Sequence, residues 1–407
     1  MKVLQINANY GFGSTGLIVK DIGDVLQESG HEAYFAYQST NQKIQTGYKV
    51  GNVLDWKIHA IMCRIFGKQG YYSKIATRRL LNYIAQLVPD IVHLHNLHSN
   101  YVNLNMLLKY LADKDIPTVI TMHDCWYFTG KCFHYADSDC DRFQYGCGKC
   151  KKKKSPPKSW MFDCSAKVWK DRKYFLHLIP RLKVIGCSNW ICNEAKKSFL
   201  KDCDISCIYN GVDISIFRER ETGLSSQLKE QDEILVMGMA NKWFLPENIS
   251  MITKVHSLEN VKLMIVGCSE EQISTLSDMD ENIIAIGYVK DRNELAEYYN
   301  AADVFVNLTH ADTLPTVNME SICCGTPVIT YDSCGSPELI DENSGMVIKE
   351  FNEEGVVNAI LKMKKQKFEE CSGIGIKKFD KNQCYEKYVS VYTKLQKTCE
   401  NMEGKER

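Results

Sequence analysis

The sequence predicts an α/β protein built from two domains, each a doubly wound parallel sheet. Three observations carry that expectation. Short apolar runs of strand length alternate with longer amphipathic stretches along the chain, the pattern of repeated strand–helix–strand units. The length, 407 residues, suits two domains of ordinary size. A turn at Asn210-Gly211, followed by the polar stretch Arg218–Asp232, separates two halves of the same style.

In the first half, strands are expected at Val3–Asn7, Ala33–Tyr37, Asp90–His95, Thr118–His123, Lys183–Ser188 and Ile205–Tyr209. A helix starts near Ser14-Thr15 and stops at Ser29-Gly30. The second half offers strands at Glu233–Met239, Val261–Gly267, Ile283–Gly287, Asp303–Asn307 and Pro327–Tyr331. Pro315 suits the first turn of a helix that ends at Gly325-Thr326-Pro327. The expected domains are 1–215 and 216–380, with the junction near 215–230. The remaining segment, 381–407, carries a helix over Asn382–Lys397 that can pack back on the N-terminal domain.

Composition narrows the function classes. The chain is 44% hydrophobic and 25% charged, as in ordinary soluble domains. Fifty Lys and Arg against fifty Asp and Glu leave no formal charge, which argues against a protein that grips nucleic acid. No run approaches the roughly 18 apolar residues of a membrane span. Met1–Asn7 reads as a strand rather than a signal peptide, so a cytoplasmic location is expected. Most of the 18 cysteines should then be reduced and buried.

Several patterns could carry chemistry. Gly11-Phe12-Gly13-Ser14-Thr15-Gly16 joins the first strand to the first helix, and its amides, with Gly13 and Ser14 foremost, can hold a phosphate. A plain tight turn explains the loop equally well. It is neither a dinucleotide fingerprint, since Ala36-Tyr37-Gln38 stands where an acid is needed, nor a P-loop. Asp312 precedes the helix begun by Pro315 and Glu320 lies within it, an arrangement suited to a polyhydroxylated ligand carrying phosphate, or to a capped surface helix. His123 ends a parallel strand, where such sheets collect ligands, although a hydrogen-bonded structural histidine fits as well. His93, His95 and His98 read as hydrogen-bonded residues rather than metal ligands. Cys132, Cys140, Cys147 and Cys150, the last two in a C-x2-C knuckle, have the ingredients of tetrahedral zinc; free or oxidisable thiols are the alternative. The basic stretch Lys151–Lys154 with Lys158 is either a solvated loop or a contact for anionic lipid.

Taken in order, Gly13-Ser14-Thr15-Gly16, His93-Leu94-His95-Asn96-Leu97-His98, His123-Asp124-Cys125-Trp126, Asn210-Gly211-Val212-Asp213, the segment from Asp312 to Glu320, Cys324-Gly325-Thr326-Pro327 and Gly335-Ser336-Pro337-Glu338 resemble glycosyltransferase family 4. The resemblance runs from end to end and is nearest to enzymes of bacterial colanic-acid, capsular and exopolysaccharide biosynthesis. It implies the GT-B fold, two Rossmann-like domains facing across a cleft. The C-terminal domain would take a UDP- or GDP-sugar and the N-terminal domain the acceptor, a polyprenyl-diphosphate-linked saccharide or another glycan at the cytoplasmic membrane face. Transfer would retain the anomeric configuration without a catalytic divalent metal. Asp312 and Glu320 stand at the acidic positions of the family's E-x7-E motif, with Asp replacing the first Glu. Glu320 would then hold the donor ribose and Asp312 the sugar hydroxyls, while the backbone of Leu314, Pro315 and Thr316 faces the sugar and diphosphate. His123 and Asp124 become an acceptor or reaction-centre pair. Relatives share the four cysteines, which implies a structural zinc that fixes the loop beside His123.

Two departures from the family stand out. Glu247 falls where a diphosphate-clamping Lys is expected, leaving Lys242 as the nearby cation, and Leu17 replaces an Arg after the glycine loop. They keep open a second reading, a catalytically weakened nucleotide-sugar-binding subunit of a glycan-assembly complex.

Overall fold

The computed structural model describes residues 1–403 apart from 139, 281, 364, 365 and 367. The chain forms two compact units, one comprising Met1–Asn210 with the segment from Asn382 onward, the other Gly211–Lys381.

The first unit is a seven-stranded parallel sheet. Its strands are β1 (Lys2–Tyr10), β2 (Glu32–Thr40), β3 (Gly47–Lys49), β4 (Ile91–Leu94), β5 (Thr118–Met122), β6 (Leu182–Gly186) and β7 (Asp204–Cys207), in the order β3-β2-β1-β4-β5-β6-β7. The order grows outward from β1 in both directions, so chain connections leave β1 and β4 on opposite sides and open a crevice at their carboxyl ends. Val3 sits beside Ala33 on one side and Ile91 on the other, fully buried, as a central parallel strand requires. β1 and β2 run further than their apolar runs suggested, because Asn9 pairs with Ser39 and Tyr10 with Thr40. The three-residue edge strand β3 is too short to show any periodicity in the sequence.

Helix α1 (Gly13–Glu28) lays Ile18, Ile22 and Leu26 on the sheet and is stopped by Gly30 in the left-handed conformation, φ +78°. Helix α2 (Val53–Phe66) begins with a reciprocal capping box between Asn52 and Asp55 and ends at Gly67. Helix α3 (Ser165–His177) follows the cysteine-rich loop.

The second unit repeats the architecture with β8 (Ile234–Met239), β9 (Val261–Cys268), β10 (Ile284–Gly287), β11 (Val304–Asn307), β12 (Val328–Tyr331) and β13 (Gly345–Ile348). Their order is β10-β9-β8-β11-β12-β13, all parallel, with the switch point between β8 and β11. β13 was not expected. Its first residue must be glycine: Gly345 has φ +153°, and a Cβ there would lie 2.0 Å from the Val328 carbonyl oxygen. Helices α4 (Arg292–Ala301) and α5 (Thr316–Cys323) flank β11 in sequence, and Gly325, φ +83°, follows the end of α5.

The chain divides at Asn210/Gly211, slightly before the polar stretch. Phe217 is buried near Tyr299, and Val212 forms a bridge with Asp380, which ties this segment to the second unit. Helix α6 (Lys381–Glu403) returns to the first unit, where Tyr385, Tyr388 and Tyr392 join its core. Among the described residues no helix is long and apolar enough to cross a membrane.

Candidate active-site residues

In the first unit the conspicuous side chains gather at the carboxyl ends of β1, β4 and β5. His95 follows β4 and His123 follows β5; His95 Nδ1 lies 3.0 Å from His123 Nε2. On its other side His95 Nε2 lies 3.1 Å from Gln5 Oε1 of β1. The proton positions follow from the neighbours. Gln5 donates its Nε2 to the Val19 carbonyl, so its Oε1 can only accept. His95 therefore carries its proton on Nε2. Burial and the neighbouring His93 and His123 keep His95 neutral, so its Nδ1 is a lone pair and accepts from His123 Nε2–H. His123, pushed down to about 4 mainly by burial, is neutral as well and keeps its lone pair on Nδ1.

Asp124 turns to a different partner. Its Oδ2 is 3.0 Å from His98 Nε2, and its Oδ1 accepts the Trp126 amide at 2.8 Å. Burial alone would raise this carboxyl, but His98 and the Trp126 amide hold it below the ordinary carboxylate range. The sequence pairs His123 with Asp124 because they are adjacent; the geometry pairs His95 with His123 and His98 with Asp124. Gln5 was missed as a member of the group, whereas His95 and His98 were expected to be hydrogen-bonded and are. His93, two residues before His95 and within β4, lies 2.7 Å from both Thr121 Oγ1 and the Tyr392 hydroxyl, so it is a buried, satisfied histidine. The glycine loop lies at the end of β1. Gly13 adopts φ +65°, and Phe12 precedes α1 without a side-chain cap, which leaves the Gly13 and Ser14 end of the helix uncapped.

The cysteine loop follows Asp124. Cys132 and Cys150 share a hydrogen bond; the sharing and burial raise Cys132, while the bond from Cys132 lowers Cys150. Cys147 Sγ accepts the Gly130 amide at 3.2 Å and is pushed up to about 11, chiefly by burial and also by Cys140. The thiols are neighbours, yet among the described residues no three His, Cys, Asp or Glu side chains converge as ligands of one metal ion. The side chains as they stand do not fit the tetrahedral cage that the spacing suggested, because they are arranged as a pair and an amide-bound thiol.

In the second unit the acidic pair and its surroundings lie at the carboxyl ends of β8, β11 and β12. Asp312 Oδ1 accepts the Leu314 amide at 3.2 Å, and its carbonyl accepts the Gly335 amide, which holds the loop before α5. Pro315 is the N-cap of α5 and provides no side-chain acceptor. The amides of its first turn are thus uncapped, while the buried hydroxyls of Thr309, Thr313 and Ser336 and the Nδ2 of Asn318 find no partner among the described residues. Such orphaned donors are costly in a finished core and suit a polar ligand; single Thr, Ser and Asn residues gave no warning in the sequence. Glu320, further along α5, is pushed up to about 7 by burial, against the pull of Arg292 and of the Tyr299 hydroxyl 3.5 Å away.

Lys242 lies in a short helical turn after β8, and Asn248 Nδ2 donates to its carbonyl. Asn248 Oδ1 is 2.9 Å from His310 Nε2. Burial lowers His310; Glu247 pulls it up and Lys242 pushes it down, so both charges act at this histidine.

Comparison with known proteins gives the family and the fold. Residues 16–216 match the model of glycosyltransferase family 4, and residues 229–378 that of glycosyl transferases group 1. A protein of Escherichia coli (strain K12) described as a colanic acid biosynthesis glycosyl transferase, WcaC, is 21% identical over 97% of this chain and all of its own length. Sucrose-phosphate synthase from Thermosynechococcus elongatus superposes with a TM-score of 0.69 at 14% identity, over 97% of this chain and 98% of that one. Anabaena HepE, solved with UDP and glucose, superposes with a TM-score of 0.60 at 13% identity, over 97% of this chain and 99% of that one.

Proposed function

The chain belongs to glycosyltransferase family 4, and on that premise we propose that it moves a sugar from a UDP- or GDP-sugar to a lipid-linked saccharide during bacterial surface-polysaccharide assembly. The observation that carries this reading is the second unit's group of uncapped α5 amides, anchored Asp312 and half-buried Glu320. An anionic diphosphate suits the amides, and the two carboxyls suit ribose and sugar hydroxyls. The similarity to WcaC and to a UDP-bound structure supports the donor class and the polysaccharide setting.

In this reading Glu320 binds the donor ribose, Asp312 the sugar hydroxyls, and Leu314, Pro315 and Thr316 line the diphosphate, with Lys242 as its point charge. Gly13 and Ser14, at the uncapped start of α1, suit an anionic phosphate. The acceptor belongs to the first unit, beside His123 and Asp124. The acceptor hydroxyl forms the new bond to the anomeric carbon on the face from which the nucleoside diphosphate leaves, and the departing diphosphate takes the hydroxyl proton. Configuration is retained, and no divalent metal or covalent carboxylate takes part. Positioned dipoles stabilise the leaving charge. His123, with its lone pair on Nδ1, accepts a hydrogen bond from an acceptor hydroxyl.

A structural zinc on Cys132, Cys140, Cys147 and Cys150 rests on their spacing in the sequence alone, and it requires the loop to draw Cys140 and Cys147 towards the Cys132–Cys150 pair. Peripheral contact with the cytoplasmic face of the membrane accords with a lipid-linked acceptor.

Product analysis tests the reading. Proton NMR of the glycan formed from an α-linked UDP- or GDP-sugar should show an α-linkage. Inversion to β would refute the retaining assignment, and saturable donor binding without any transfer would favour the weakened-subunit reading.

A further inference from the structure

Helix α2 turns an apolar face to solvent. Val53, Leu54, Ile58 and Ile61 recur at helical spacing and are all exposed, Leu54 at 65% and Ile58 at 52%, while His59, Ala60 and Cys63 are buried behind them. The loop beyond the cysteines extends the same face. The Trp160 amide donates to the Arg64 carbonyl, and Phe162 stacks on Phe66 with ring centroids 5.7 Å apart. Trp160 and Met161 are 61% and 62% exposed. Single exposed apolar residues need no explanation, but a continuous row of them marks a surface that something covers.

The cations nearby indicate what covers it. Lys57 and Arg64 stand exposed on α2, Lys158 is exposed beside Trp160, and Lys153 Nζ donates to the Met161 carbonyl at 2.9 Å. Asp55 is an acid on α2, and its carboxylate is engaged in the helix cap. Between α2 and the loop lies a cavity of about 450 Å3 lined in part by Arg64 and Lys158, with Asn100 contributing a buried Oδ1 that has no partner among the described residues; Lys131 also lines it, but its ammonium donates to the Lys152 and Ser155 carbonyls. Cations beside an acceptor suit a phosphate that carries a neighbouring hydroxyl.

We propose that the outer face of α2 and the Trp160–Phe162 segment dock on an anionic lipid bilayer, with the cavity taking a headgroup phosphate. Apolar side chains in a row with lysines and arginine at their rim match the acyl–headgroup boundary of such a membrane. A second copy of the chain would bring like charges together across the same patch. The placement differs from the one the sequence suggested. Lys152 is turned inward, to the Asp137 carboxylate and the His134 carbonyl, so the lysine run is only the margin of this surface. The inference stands whether or not the chain transfers sugar.

Sedimentation of the full chain with vesicles tests it. Vesicles of phosphatidylcholine mixed with phosphatidylglycerol should carry the protein down, and pure phosphatidylcholine roughly tenfold less of it. The double variant Ile58→Ser/Ile61→Ser, the single variant Trp160→Ser and the pair Lys57→Glu/Arg64→Glu should each weaken binding by about tenfold, with unchanged melting because these side chains are exposed. No binding to the mixed vesicles would overturn the proposal. Equal binding by the variants would overturn it too, as would a dimer in sedimentation velocity that the same substitutions dissociate.

Discussion

His95 Nδ1 accepts the Nε2 proton of His123 at 3.0 Å, and that bond decides which nitrogen of His123 is left to accept another. Donation runs from the outside inward, from His123 to His95 to Gln5, whose own amide donates to the Val19 carbonyl. A residue on the first strand thereby sets the tautomer of a histidine beyond the fifth.

Gln5→Met tests this relay. It keeps the size of the side chain but leaves the His95 Nε2–H without an acceptor, at a cost of ~1–3 kcal/mol in stability. If His123 Nδ1 receives the acceptor hydroxyl, turnover should fall by about tenfold or more while the donor KM stays within about twofold. Histidine 15N shifts should show His123 protonated on Nε2 in the wild type and a tautomer mixture in the variant. A pure Nδ1–H tautomer in the wild type would contradict the assignment.

Glu320 should make donor binding pH-dependent. Its folded pKa, raised to about 7 from an ordinary 4.5, means that the native state holds a proton the unfolded chain has released. Its contribution to stability is therefore complete below pH 4.5 and is lost as the pH rises through 7, on the order of 3 kcal/mol in all. Glu320→Gln should remove that slope. If the carboxylate form grips the ribose, wild-type donor affinity should rise between pH 6 and 8, and the Gln variant should bind weakly at every pH. Calorimetric titration at several pH values checks both statements.

Lys242 and Glu247 both act on His310, so changing either should alter the charge balance where the donor diphosphate is proposed to bind. Lys242→Ala should abolish most donor binding and turnover; Glu247→Lys should leave activity equal or higher. A silent Lys242→Ala in an active enzyme would show that the clamp lies elsewhere.

Metal content checks the cysteine loop. Protein purified without chelator should carry close to one zinc per chain if the four thiols close on a metal, and Cys147→Ser or Cys150→Ser should lower both zinc and stability. Metal-free protein of undiminished stability would leave the Cys132–Cys150 thiol pair as the loop's own fastening.

Much of this was legible in the sequence because parallel strands buried on both faces read as apolar runs, and Val3–Asn7 or Val261–Gly267 could hardly be anything else. Edge strands β3 and β13 were not, since three or four residues carry no period and depend on neighbours for pairing. Helix α2 also escaped, because its apolar residues face outward and blur the stripe that normally marks a helix. In the candidate site, Asp312 and Glu320 announced themselves through a motif. The partners of His123 and Asp124 did not, because adjacency along the chain says nothing about which strand end a ring will meet. Gln5 and His95 are 90 residues apart and touch only once β1 and β4 pair.

Release of nucleoside diphosphate across a panel of UDP- and GDP-sugars, with and without a polyprenyl-diphosphate-linked saccharide, tests the central claim most directly. At least one donor should yield UDP or GDP in step with a lengthened glycan, and Asp312→Asn should reduce that turnover more than it reduces donor affinity, since its hydrogen bonds strengthen as charge develops on the sugar. Donor binding with no release for any sugar, with or without acceptor, would contradict the claim and leave a nucleotide-sugar-binding subunit in its place.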